Sequence, residues 1–207
     1  ENFVPNEAEF DELISGYGIS GAAQPIVDAN TRNVVGYELL GRANHPRLPK
    51  TPIELFGLAE AMDREIDLSL AFRDFGLNHM APRIRGNTLF INAHPKETFS
   101  EEFFTSLAQL RQNSPELNVV VEIHESAVTD IEELRDFASR LAQLDIRFAY
   151  DDFGAGQARL LELADVPAHF VKFDISLIRG LHNASERKKQ IVRDLVHMVL
   201  AAGSVPL

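Results

Sequence analysis

The 207-residue sequence predicts an α/β protein whose strands line a (β/α) barrel, and three observations carry that prediction. Short β-branched or aromatic runs alternate with helical segments, which argues for a parallel sheet with helices outside it. Within the strands, polar residues gather on one face and toward the C-terminal end. A parallel strand in an open doubly wound sheet is apolar on both faces, so this asymmetry favours a barrel with a site at its mouth. Five of the runs also carry, late in the strand, a residue able to ligate a metal or move a proton.

Taken in order, residues 1–19 contain "NEAEFDELISGYG", an amphipathic stretch expected to form a lead-in helix or the tail of a linker. The barrel domain is placed at 20–207. Its strands are expected at "QPIVDA" (24–29), "VVGYELL" (34–40), "TLFINAH" (88–94), "VVVEIHE" (119–125), "RFAYDDF" (147–153) and "FVKFDIS" (170–176). Between them lie "TPIELFGLAEAMD", "EIDLSLAFRDFGLNHM", "EEFFTSLAQLRQ", "DIEELRDFASRLAQL" and "ARLLELA", each with apolar residues three and four apart. Thr51-Pro52 marks one helix start, and Thr129 with Glu132 forms a candidate capping box for another. A long helix, "SERKKQIVRDLVHMVLAAG", leads into "SVPL", which has the character of a strand beginning. In the last full strand Val171, Phe173 and Ile175 share one face, and Lys172, Asp174 and Ser176 the other.

Composition narrows the function classes. At 45% hydrophobic residues the chain can bury a sizeable core, and with no cysteine it has neither disulfides nor thiolate metal sites. No apolar run approaches the ~20 residues of a membrane helix. A cytoplasmic protein, or the cytoplasmic part of a larger signalling protein, is the expectation. The net charge of −11 argues against a nucleic-acid polymer as partner; the basic clusters "PRIRG" (82–86) and "ERKKQ" (186–190) are small.

Glu38, Asn92, Glu122, Asp151 and Lys172 lie late in five different strands, and in a barrel such residues converge on the catalytic rim. Asp152 joins them only if its strand ends or bulges there, because adjacent strand residues point to opposite faces. Two like charges 4 Å apart cost about 4 kcal/mol at an effective dielectric of 20, so converging carboxylates need protonation or a cation. Oxygen ligands with an amide from Asn92 suit Mg²⁺ or Mn²⁺ better than zinc or copper. His94 and His124 lie nearest this rim and are read as packing or local hydrogen-bonding residues.

"QPIVDANTRNVVGYELLGR", "LFINAHP", "VEIHESAV", "YDDFGAGQARL" and "VKFDISLI" occur in this order and at suitable spacing. Together they resemble the EAL-domain cyclic-di-GMP phosphodiesterases of bacteria, from about Gln24 onward. The resemblance implies a TIM-like barrel that hydrolyses one 3′–5′ phosphodiester of cyclic-di-GMP to linear pGpG, with a pair of Mg²⁺ or Mn²⁺ ions. It implies that Glu38, within Glu-Leu-Leu rather than Glu-Ala-Leu, is the signature metal-ligating glutamate. It makes Asn92, Glu122 and Asp151 metal ligands, Asp152 the residue at the second metal, and Lys172 the holder of the attacking water. Gln24 and Arg42 match ligand-contacting positions, and Glu125 the glutamate that braces the following loop.

Two departures go with it. Ala155, Gln157 and Ala158 replace the family's usual threonine and tyrosine-serine-serine run in a loop that couples metal binding to dimerisation, so rate or regulation is expected to differ. The family also continues into a strand ending Ala-Glu-Gly-Val-Glu with a further metal-binding glutamate. The sequence stops at Leu207, before that strand, and the expectation is a barrel incomplete at its C-terminal end. The expected partners are cyclic-di-GMP, a second copy in a homodimer, and regulatory domains of a longer protein. A catalytically inactive receptor or protein-interaction module of the same fold is the competing reading, disfavoured because every identifiable metal position is kept. An enolase-type Mg²⁺ lyase fits the barrel but not the motif order.

Overall fold

The structure, a computed structural model, describes residues 7–84, 86–124, 127–128, 130–154 and 164–207. Among these, seven strands form one sheet in sequential order: β1 (Ile19–Val27), β2 (Val34–Ala43), β3 (Thr88–Ala93), β4 (Asn118–His124), β5 (Arg147–Phe153), β6 (Phe170–Phe173) and β7 (Val205–Pro206). The α-helices of the described residues are α1 (Glu7–Ile14), α2 (Pro52–Ala61), α3 (Glu65–Phe75), α4 (Glu101–Asn113), α5 (Ile131–Gln143), α6 (Ile175–Ile178) and α7 (Glu186–Ala201). This is the α/β, TIM-like architecture that the strand pattern predicts, with β1 and β7 as the two edges of the sheet.

The sheet is not uniformly parallel. β1 and β2 pair antiparallel, from Ile19↔Ala43 to Val27↔Val34, and every later pair is parallel. The link over 28–33 is too short for a crossover, which takes a dozen or more residues. Asp28 closes it by accepting the Asn30 and Thr31 amides at 3.0 and 2.6 Å. β1 begins five residues before its expected start, in a Ser-Gly-Ala-Ala run without strand propensity. Gly21 is the tight position, since a Cβ there would lie 2.6 Å from the Met80 sulfur.

β6 ends earlier than expected. Asp174 is not a strand residue: its carboxylate accepts the Ser176 amide at 2.8 Å and caps α6, so Ile175 turns to solvent instead of sharing the Val171 face. Val205 and Pro206 pair with Phe170 and Val171, so the incipient strand in "SVPL" belongs to the sheet. Thr51 caps α2 as expected, accepting the Glu54 amide while donating to its carboxylate. The cap of α5 is Asp130, which accepts the Glu132 and Glu133 amides; Thr129 lies outside the described residues.

Alternation along the strands makes two cores. Outward residues, including Ile91, Val121, Ile123, Phe148, Tyr150 and Val171, meet Phe103, Leu107, Leu134, Phe137 and Val199 of the surrounding helices. Inward, Phe90, Val120 and Ala149 fill the floor with Ile26, Phe170 and Leu207 at their side. A third cluster joins Phe10 and Leu13 of α1 to Leu55 and Leu58 of α2 and Leu68 of α3, beside the end of β2. Helix α3 lies so close to β2 that a Cβ on Gly41 would sit 2.1 Å from the Phe72 ring.

Candidate metal and substrate site

Above the apolar floor the inward positions turn polar. Asn92 stands opposite Glu122 in the β3–β4 register, and His124 opposite Asp151 in β4–β5. Glu38 follows Gly36 on the inward face of β2, and Lys172 follows Phe170 on β6. Oxygens of Glu38, Glu122 and Asp151 all lie within 4.8 Å of one another. Lys172 Nζ stands among them, 3.1 Å from Glu38 Oε2, 2.7 Å from Glu122 Oε1 and 3.1 Å from Asp151 Oδ1. Asn92 Nδ2 donates to Glu38 Oε1 at 3.3 Å.

Asp152 meets the condition that alternation set for it. Its backbone is left-handed (φ 53°), and the β5–β6 register shifts between Tyr150 and Phe153. This bulge lets two consecutive residues line one cavity. Asp and Asn are among the few non-glycine residues that tolerate such a backbone. The Asp152 amide donates to Asp151 Oδ1 at 2.9 Å, and its carboxylate lies 3.6 Å from His124 Nε2.

The electrostatics show what the cluster lacks. Burial, reinforced by the neighbouring charges of Glu38 and Asp151, pushes the Glu122 carboxyl up to about 8 against the pull of Lys172. Burial alone would lower Lys172, but Glu122, Asp151 and Glu38 outweigh it and raise the ammonium above its ordinary range. Burial and then Asp151 raise Asp152. The Lys172 ammonium is thus shared by three carboxylates, and among the described residues Glu122 Oε2 is buried with no hydrogen-bond partner. An unpartnered buried carboxylate oxygen among hard oxygen donors fits a divalent cation.

The cluster forms one wall of a cavity of about 410 Å³, a volume suited to a small-molecule ligand. Arg42 lines it, with one guanidinium nitrogen on the Gly41 carbonyl at 2.7 Å. Phe56 and His94 line it as a parallel stack, centroids 5.3 Å apart. Gln24 lies opposite Glu38 in the hairpin register but is exposed and is not among the residues lining the cavity. Glu125, Ala155, Gln157 and Ala158 lie outside the described residues.

The ion pair on one side of the site does not lie at a strand end. Arg73 and Glu97, 3% and 1% exposed, form a bidentate pair with both bonds at 2.9 Å. Ser69 Oγ adds a 2.6 Å bond to Glu97. Burial works to raise the Glu97 carboxyl, yet Arg73, Ser69 and the His94 amide hold it below its ordinary value. An arginine inside a helix and a glutamate in a turn give no local signal of such a contact.

Among the described residues no helix is long and apolar enough to cross a membrane. A family model described as "EAL domain" matches residues 7–204. The probable cyclic di-GMP phosphodiesterase PdeN of Escherichia coli K12 is 30% identical over 172 residues, covering 79% of this chain and 32% of PdeN. The cyclic di-GMP phosphodiesterase PdeL of the same organism is 26% identical over 190 residues, 87% of this chain and 52% of PdeL. The chain thus spans about a third to a half of these relatives. Among solved structures, the PaMucR phosphodiesterase complex with c-di-GMP superposes with a TM-score of 0.84 at 20% identity, covering 97% of this chain and 84% of that one. A manganese and cy-diGMP complex of Klebsiella pneumoniae BlrP1 gives 0.77 at 25% identity over 92% and 49%. By the match along nearly its whole length, this chain belongs to the EAL domain family.

Proposed function

We propose that the chain hydrolyses one 3′–5′ phosphodiester of cyclic-di-GMP to linear pGpG, using Mg²⁺ or Mn²⁺. The observation that carries this reading is the trio of Glu38, Glu122 and Asp151, whose oxygens converge within 4.8 Å while Glu122 Oε2 is left without a donor. The manganese complex of a 25% identical relative supports the choice of ion. Glu38, Asn92, Glu122 and Asp151 hold the first ion, and Asp152, brought round by the bulge, serves a second. Bound divalent ions lower the pKa of a water and neutralise phosphate charge.

The chain's own residues supply the rest. Lys172, charged and fixed among three carboxylates, donates a hydrogen bond that orients the attacking water. Arg42 gives a charge-assisted hydrogen bond to a phosphate oxygen. Gln24, across the hairpin from Glu38, contacts the ligand from the barrel edge, and Phe56 with His94 shields the cavity wall from water.

Chromatography of cyclic-di-GMP incubated with the chain and Mn²⁺ tests the proposal. The expected result is pGpG from the wild type and none from Glu38→Ala or Asp151→Ala. Turnover surviving either change refutes the site. Binding without turnover by the wild type replaces the enzyme with a receptor.

A further inference from the structure

We infer that Glu97, through its ion pair with Arg73, is a positioning residue for the metal ligand Asn92; the inference rests on the metal reading of the site. Asn92 is the penultimate residue of β3, and the chain then turns over 94–100 into α4. Two backbone groups flanking that position are tied to one buried pair. The His94 amide donates to Glu97 Oε1 at 3.0 Å, and Arg73 Nη1 reaches the Asn92 carbonyl at 3.5 Å. Glu97 thereby gathers four donors: two from Arg73, one from Ser69 and one from His94. The turn closes on itself as well, with the Glu97 and Thr98 amides and the Thr98 hydroxyl all donating to the His94 carbonyl.

The pair is an unusual way to stabilise a fold. Desolvating two charges offsets most of their attraction, and apolar residues of similar volume commonly do as well. What the pair supplies is direction. A guanidinium and a carboxylate matched in a plane admit one orientation, and here they lock α3 to the turn that follows Asn92. The chain of contacts ends in the site, because Asn92 Nδ2 donates to Glu38 Oε1. Outer partners of this kind typically alter metal affinity by about 10- to 100-fold when changed.

The test is titration of the whole chain with Mn²⁺ alone, read by calorimetry or by the paramagnetic resonance of free Mn²⁺. Melting curves in chelator run alongside. Glu97→Gln keeps the shape and loses the charge; Arg73→Lys keeps the charge and loses the two-pronged match. Both are expected to weaken Mn²⁺ binding by about 10-fold or more. Ser69→Ala deletes one donor and should weaken binding less, which keeps the question answerable if either charged variant fails to fold. Ser100→Ala removes the cap of α4 at the far end of the same turn; it should lower the melting temperature and leave Mn²⁺ affinity unchanged. Folded variants of Glu97 and Arg73 with wild-type affinity overturn the positioning role while leaving the metal site intact. A wild type that binds no Mn²⁺ overturns the metal reading and the positioning role with it.

Discussion

Replacing Glu122 by glutamine should stabilise the metal-free protein. Glu122 is 1% exposed, and its carboxyl pKa rises from an ordinary 4.5 to about 8. A tenfold change in proton affinity is worth about 1.4 kcal/mol, so the full effect is on the order of 5 kcal/mol, and about 3 kcal/mol at pH 7. The sign follows from the protons bound. The folded state holds this proton more tightly than the unfolded one, so the wild type loses stability as pH rises from about 4.5 to about 8. Glutamine, neutral throughout and of the same shape, does not. Chemical denaturation in chelator across that range should show Glu122→Gln drawing ahead of the wild type, with the two converging near pH 4.5. At pH 7, Mn²⁺ at about a thousand times its Kd should reverse the order, since it adds about 4.1 kcal/mol to the form that binds it. A variant less stable than the wild type in chelator at high pH, or a gap that does not change with pH, refutes the argument.

Two other expectations concern the frame around the site. Gly41→Ala drives a methyl group into the Phe72 ring, at a cost of about 2–3 kcal/mol, measurable by urea unfolding, with loss of Mn²⁺ affinity as β2 shifts away from α3. Glu97 titrates below its ordinary value in the fold, so its contribution is present above about pH 4.5 and lost as pH falls through the lower folded value. The melting temperature of Glu97→Gln should therefore lie below that of the wild type at neutral pH, with the gap closing under acid.

The strand ends were legible because alternation is a two-residue rule. Once Val120 and Ala149 are read as inward, Glu122 and Asp151 must follow them, and both do. The first half of β1 was not legible, since Ser20, Gly21 and Ala22 carry no β propensity and Gly21 answers to a close approach by Met80 rather than to the strand pattern. Nor was the end of β6, where Asp174 has the look of a strand residue until its carboxylate is seen on the Ser176 amide. Arg73 and Glu97 are 24 residues apart and individually resemble surface charges. Only the packing of α3 on the turn after β3 makes them a pair.

The left-handed backbone at Asp152 has a consequence for how this position can vary. Two independent filters act on one residue: the main chain admits glycine, asparagine and aspartate most readily, while the proposed second ion asks for an oxygen donor and favours a charged one. Glutamate passes the second filter and fails the first; glycine does the reverse. Aspartate alone meets both in full, so on the proposed two-ion reading a homologue without aspartate there has either rebuilt the bulge or weakened its hold on the second ion.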